Sequence, residues 1–435
     1  MEAYGNTCIK RFVEGAEPYG AVLIEENEIS KASQLAKNKG LLLPFLALWC
    51  IIFLRKAVLF MSYLHGVERR GELDRIFSGK KTALITNPTG TDRNFNHTAD
   101  LFAQSFRLCA LFAPEHGIRG EIQAGGRVDS FIDEKTGIPV YSAYSDAITD
   151  KMLEDVDIIA YDIQDVGSRF YTYIYTLSSL MEKAAALGKK VVVLDRYNPI
   201  GLSKIEGTLL DERFSSGVGV YELPTRYAMT VGEFARYVNS EKGICCDLEI
   251  LPCEGLSRAD DYRTLNIPWI PPSPNLPTYE SSLAYVGTVL LEGTNMSEGR
   301  GTTKPFEYIG APWLRAGEVI KYLESLGLSG CSFRECYFTP TFSKYSGELC
   351  HGIQIHISDP DAFEPFALGL FALDYIRRTH SELKIRDPES EKAFINLLLG
   401  SDAFLKDGFD AESFILEHKA KINEFAQRTS KYLIY

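Results

Sequence analysis

Glu115 and His116 close the apolar run Leu108–Ala113, with Arg119 shortly after. A carboxylic acid beside an imidazole can hold, give or take a proton, so the pair marks a candidate acid–base site. Three other apolar runs end in the same way. Asn87, Thr89 and Asp92 follow the first run, Asp162, Gln164, Asp165 and Arg169 the third, and Asp195, Arg196 and Asn198 the fourth. An acid at such a position can also cap a helix, but four polar sets in succession point to a shared cleft. Arg169 adds a planar fork suited to a carboxylate or a phosphate. Phe170, Tyr171 and Tyr173 come next, and aromatic faces beside hydrogen-bonding acids suit a sugar ring. Phe170 and Tyr173 have a competing use as core anchors, which leaves Tyr171 the better site candidate.

A second dense stretch runs over Leu291–Thr303. It packs Glu292, Asn295, Glu298 and Arg300 among three glycines, and glycines let backbone approach a ligand closely. The Gly-Lys-Ser/Thr ending of a P-loop is absent, and no Gly-x-Gly-x-x-Gly follows the early strands. There is no Gly-x-Ser-x-Gly nucleophile elbow, no His-x-x-x-His pair and no Cys-x-x-Cys pair. The nine cysteines read as free thiols, and neither a metal nor a nicotinamide cofactor is called for. Carboxylate chemistry remains. Glycoside hydrolysis needs one protonated acid at the leaving oxygen, with a second carboxylate or the substrate's own group on the other face.

These side chains need a scaffold. Lys81–Asn87, Leu108–Ala113, Asp157–Tyr161 and Val191–Leu194 are short, continuous and apolar, as strands buried on both faces are. Helical stretches around His97–Phe106 and over Tyr173–Leu187 alternate with them, and Gly188 closes the second. Such alternation builds βαβ units, hence an α/β fold with a parallel sheet and helices on both faces. All four polar sets then open on one edge. Further on, a helix over Thr230–Asn239 starts in a capping box of Thr230 and Glu233, and Cys246–Leu251 is another strand. Five prolines in the ten residues 268–277 permit neither helix nor central strand. They set the preferred boundary between a catalytic domain at 66–275 and a smaller α+β domain at 276–435. In the latter, Cys336–Thr341 and Gly352–Ile357 read as strands, and Asp361–Thr379, Glu391–Leu399 and Ala411–Ser430 as helices.

The 435 residues are 45% hydrophobic and 24% charged, with a net charge of −12. That is globular composition in a chain too long for one core, without the basic footprint of a nucleic-acid binder. Residues 1–65 form an extension with a hydrophobic segment. Leu41–Leu54 carries no charge, Arg55 and Lys56 interrupt it, and Ala57–Met61 is apolar again. As one span over 41–64 it would bury two cations at roughly 2.5–3.5 kcal/mol each. As a signal-peptide core it lacks a small-x-small cleavage site. The protein is exported or membrane-anchored if the segment is real, and cytoplasmic if translation starts at Met61. Unpaired cysteines favour a reducing compartment.

Seven longer motifs carry a family resemblance. They are TNPTG at Thr86–Gly90, PEHGIRG at Pro114–Gly120, DIQDVGSRFYTY at Asp162–Tyr173 and LDRYNPIG at Leu194–Gly201, followed by PPSPN at Pro271–Asn275, EGTNMSEGRGTTKPFE at Glu292–Glu307 and FTPTFSKYSGELC at Phe338–Cys350. From about Gly66 to Tyr435 the chain resembles the exo-β-N-acetylmuramidases of the NamZ type, glycoside hydrolase family 171, formerly a domain-of-unknown-function family. The resemblance implies a Rossmann-like N-terminal domain, a smaller C-terminal domain closing the cleft, and no cofactor. It implies release of N-acetylmuramic acid from the non-reducing ends of peptidoglycan fragments during bacterial cell-wall turnover. It maps a catalytic Glu onto Glu115, here taken as the general acid, and makes Tyr171 a further catalytic candidate. Asp162 or Asp165 would orient a water or the 2-acetamido group. Arg169, Arg196 and Arg300 compete for the lactyl carboxylate that separates muramic acid from glucosamine. His116, Arg119, Asn198, Glu292, Asn295 and Glu298 complete the expected substrate-binding set. The chain departs from the family pattern at Tyr197, Leu202 and Tyr227–Ala228, where Pro, Gly and His-Gly are commoner, and these positions bear on fine substrate preference. The alternative is a non-catalytic muropeptide- or sugar-binding protein on the same scaffold.

Overall fold

Lys81–Thr86 (β1) is buried from Thr82 onward because it has a parallel partner on each side. Its side chains alternate between two faces, and each face has its own core. Ala83 and Ile85 join one hydrophobic cluster and Leu84 the other, so the strand reads as a continuous apolar run rather than an alternating one. The remaining strands of the first half are β2 (Arg107–Ala113), β3 (Phe131–Ile132), β4 (Pro139–Ser142), β5 (Ile158–Asp162), β6 (Lys190–Leu194), β7 (Glu206–Leu209), β8 (Pro224–Arg226) and β9 (Asp247–Leu251). The computed structural model describes residues 63–120, 126, 129–144, 148–390 and 392–435.

Seven strands form one sheet in the order β3-β4-β2-β1-β5-β6-β9, parallel except for β3 at the edge. The chain winds outward from β1 through β2 to β4, then returns to β5 on the other side of β1. That reversal is the switch point of a doubly wound, Rossmann-like sheet. Parallel pairing puts the carboxyl ends of β1, β2, β5 and β6 on one edge. β7 and β8 make a separate antiparallel ribbon.

The second half is α+β. β10 (Tyr308–Ala311), β11 (Cys331–Phe338) and β12 (Cys350–Ile357) form an antiparallel sheet in the order β10-β12-β11. The helix Ala316–Ser325 packs on β11 and β12, and helices at Tyr279–Thr288, Pro365–Thr379 and Ala411–Thr429 complete this half. The strand expected at Cys336–Thr341 starts five residues earlier, at Cys331, and stops at Phe338. Its first five residues alternate half-buried Cys331 and Phe333 with exposed Ser332, Arg334 and Glu335, so they give no continuous apolar run. The helix expected from Asp361 starts at Pro365, a first-turn position where a missing N–H costs nothing.

Tyr63–Tyr435 is one compact unit. A single hydrophobic cluster runs from Phe112 and Ile159 through Tyr285 and Leu290 to Ile353 and Phe425, so packing continues across the proline-rich stretch. The second cluster, with Phe77, Phe102, Leu111 and Val192, covers the opposite sheet face. All seven described cysteines are free thiols. The hydrophobic segment up to residue 62 lies outside the described residues. Among those described, no helix is long and apolar enough to cross a membrane.

Candidate active site

After Ala113 the chain leaves the sheet in a turn closed by Gly117 N donating to Pro114 O at 3.1 Å. His116 takes φ +75°, a left-handed conformation uncommon for a residue with a side chain. It is buried, while Glu115 beside it is half-buried. Thr172 Oγ1 donates to Glu115 Oε2 at 3.2 Å. Tyr173 Oη donates to Pro272 O at 2.7 Å and lies 3.5 Å from Glu115 O. Thr172 is the N-cap residue of the helix Tyr173–Ala186, so the RFYTY stretch holds the acid from the start of that helix. Tyr144 is also close: burial, and then the Glu115 carboxylate, push its phenol up.

Tyr171 continues this surface. Its ring meets Tyr173 edge-on at 4.9 Å and Tyr285 at 6.2 Å. Its hydroxyl is sealed from solvent, and no hydrogen bond of normal geometry ends on it. Tyr285 in turn meets Phe306 at 4.8 Å, and the Arg300 guanidinium lies 5.1 Å over the Phe306 ring. Burial raises the Tyr285 phenol first, then Glu292; Arg300 opposes, and Glu115 raises it further. Tyr285 therefore feels both Glu115 and the Glu292–Arg300 group. Arg300 Nη2 donates to Glu292 Oε1 at 2.6 Å, and Nε lies 3.2 Å from Glu298 Oε1. Burial holds the Glu292 carboxyl above its ordinary range, against the pull of Arg300.

Several expected site residues have other duties. Asp162 is fully buried and takes both Nε (2.6 Å) and Nη2 (2.9 Å) of Arg196, with Thr98 Oγ1 as a further donor. This ion pair fills the switch point between β1 and β5 and leaves Asp162 and Arg196 with 0% and 3% of their side chains exposed. Arg169 has no exposed surface, and its guanidinium is held by the carbonyls of Thr208, Leu223 and Leu398. It bolts the two halves together and does not offer a fork to a ligand; burial without an acid partner lowers it to about 10. Arg119 is clamped by Asp133 and Asp100 at 2.7 to 2.9 Å. Asn198 braces a turn: it donates to Met229 O, and a Cβ on Gly167 (φ +76°) would lie 2.3 Å from its Oδ1. Asn295 bonds the backbone of Glu382 and Lys384. Asp165 is buried under Tyr227 Oη and Gly167 N, and burial raises it to about 6.

Thus the structure groups Glu115 and Tyr171 with Glu292, Glu298 and Arg300. Thr172, Tyr173, Tyr285 and Lys344 belong with them and were not singled out by the sequence as site residues. Thr172 and Tyr173 sit inside a recognised motif, and so does Lys344; Tyr285 lies in a helix buried all round and carries no signal. Among the described residues, no cluster of three or more His, Cys, Asp or Glu could hold a metal ion.

The family model for the N-terminal part of exo-beta-N-acetylmuramidase NamZ matches residues 82–280, and that for its C-terminal part matches 283–435. The chain belongs to this family. It is accordingly a glycosidase. It is 44% identical over 366 residues to the peptidoglycan beta-N-acetylmuramidase NamZ of Bacillus subtilis (strain 168), covering 82% of this chain and 87% of that one. Two crystal structures of DUF1343 family proteins from Bacteroides fragilis share the fold. They superpose with TM-scores of 0.78 and 0.70 at 32% and 30% identity, each over 86% of this chain and 99% of the other.

Proposed function

We propose that this chain releases N-acetylmuramic acid from the non-reducing ends of peptidoglycan fragments, with Glu115 as the acid that protonates the leaving oxygen. The observation that carries the reading is a contrast among three acids. Asp162 and Asp165 are enclosed, whereas Glu115 keeps access to solvent at a strand end lined by tyrosines. A general acid must reach the bond it cleaves. Arg300 is our candidate for the lactyl carboxylate, because its side chain keeps 23% exposure beside Phe306 and Tyr285, whereas Arg169 and Arg196 are enclosed by their protein partners and Arg119 is clamped away from that aromatic cluster by Asp100 and Asp133. A guanidinium there would reject a sugar lacking the carboxylate, since the site's charge would stay unmatched. Cell-wall turnover is the setting in which such ends arise.

Glu115→Gln keeps the shape and the hydrogen bond from Thr172 but has no proton to give. Turnover of a chromogenic N-acetylmuramide should fall by about 10²–10⁴-fold with an unchanged melting temperature. A folded variant within about tenfold of wild type would end the assignment.

A further inference from the structure

The eleven residues joining β11 to β12 reach back to the Glu292–Arg300 stretch. Ser343 and Tyr345 both adopt positive φ, +69° and +57°. Two left-handed residues on either side of one lysine curl the loop tightly around it. The curl is tied down at several points: Thr341 N donates to Gly301 O at 2.9 Å, and Gly347 N to Pro340 O at 2.9 Å. Trp313 Nε1 donates to Tyr345 Oη at 3.0 Å. Gly301 sits at φ +80°, where a Cβ would lie 2.6 Å from Phe342 O, so the two loops touch backbone to backbone.

The loop delivers the ammonium of Lys344. It donates to Leu291 O at 2.8 Å, Met296 O at 2.8 Å and Glu298 Oε2 at 3.0 Å. An ammonium has three protons, and all three have acceptors here. A continuous relay results, Lys344–Glu298–Arg300–Glu292. Two carboxylates share one guanidinium in it, and the lysine supplies the second positive charge.

We propose that Lys344 is a positioning residue that makes the Arg300 face receptive to an anionic sugar by balancing the charge of Glu298. This rests on the reading of Arg300 as the group that meets the lactyl carboxylate. With Lys344 present, the four groups are neutral together and Arg300 can take a further anion. Without it, the same face carries one net negative charge and repels a carboxylate, while a neutral sugar is indifferent. Glu292 faces Arg300, Glu298, Lys344 and Tyr285. Losing the lysine raises its proton affinity further, so lowering the pH returns the face toward neutrality.

The test is titration calorimetry of the full chain with N-acetylmuramic acid and with N-acetylglucosamine. Lys344→Met should weaken binding of the acid about tenfold and leave the neutral sugar within about twofold. Part of the lost affinity should return as the pH is lowered, and Lys344→Arg should restore most of it. Glu298→Gln shifts the charge in the opposite direction and should bind the acid at least as well as wild type, which serves if Lys344→Met does not fold. Equal weakening toward both sugars, no change toward either, or weak acid binding by Glu298→Gln would overturn the proposal for Lys344. A wild-type protein that does not prefer the acid would overturn it together with the role of Arg300. A preference that survives in Lys344→Met would overturn the lysine's role alone.

Discussion

Two acid–arginine pairs sit in this molecule in contrasting surroundings. Asp162–Arg196 fills the switch point of the large sheet, with side chains 0% and 3% exposed. Glu292–Arg300 lies in the second half, with 23% of each side chain reaching solvent. The partners are chemically alike and the shortest contacts match at 2.6 Å. Burial makes the difference. A pair withdrawn from water contributes little net stability, but removing one member strands a charge at a cost of about 3–5 kcal/mol. A pair that water still reaches can exchange a partner for a ligand at small cost. The first pair is a bolt in the floor of the sheet edge, and the second is a surface that can trade contacts.

The matched variants Arg196→Met and Arg300→Met separate these roles. Arg196→Met should lose about 3–5 kcal/mol of folding free energy in chemical denaturation, because Asp162 is left buried and unpaired. Arg300→Met should lose only about 1 kcal/mol while its affinity for N-acetylmuramic acid falls about tenfold or more. If both variants lose stability alike and neither changes sugar binding, the distinction fails.

The same contrast explains what the sequence discloses. β1, β2, β5 and β6 are legible because strands covered on both faces must be apolar throughout. The clustering of polar residues at their ends follows from the parallel sheet, and Glu115 is found by that route. The fate of each arginine is not legible. Arg169, Arg196 and Arg300 have equal chemistry, and only tertiary packing decides which one meets carbonyls, which a buried acid and which two carboxylates at a half-buried site. Asp162 and Arg196 are 34 residues apart, and no local pattern joins them. The helix Tyr279–Thr288 is hidden for a different reason: nearly every residue is buried, so it has no polar face to give a period. Lys344 depends on a curl whose left-handed residues on either side of it, Ser343 and Tyr345, are neither Gly nor Asn, the usual signals for that conformation.

Asp165 extends the comparison to a sheet-edge acid with no cation. Tyr227 and Gly167 satisfy one oxygen, the other has no partner, and burial raises the carboxyl to about 6. The native state therefore holds this proton more tightly than the unfolded chain does. The stability it contributes is full below about pH 4 and is lost as pH rises through about 6. Asp165→Asn does not titrate, and its amide can stand where the unpartnered oxygen stood. Relative to wild type it should gain about 1–3 kcal/mol between pH 4 and pH 7, measured by denaturant unfolding at both. A difference that stays flat with pH would mean that the acid is not buried as described.

The smallest expected effect lies at Tyr171, where the two regions meet. Its ring packs between Tyr173 from the sheet half and Tyr285 from the other. A buried hydroxyl without a partner costs folding free energy unless a ligand completes it. Tyr171→Phe keeps both ring contacts and removes only that hydroxyl. If the hydroxyl is there for the substrate, the variant should be as stable as wild type or up to about 1 kcal/mol more stable, yet turn over an N-acetylmuramide about tenfold more slowly. If it serves the core, stability should fall and turnover should not. The two quantities move in opposite directions under the first reading and cannot both be explained by loss of structure. Thermal unfolding and initial rates on the same preparation therefore decide whether Tyr171 belongs with the bolt or with the face that trades contacts.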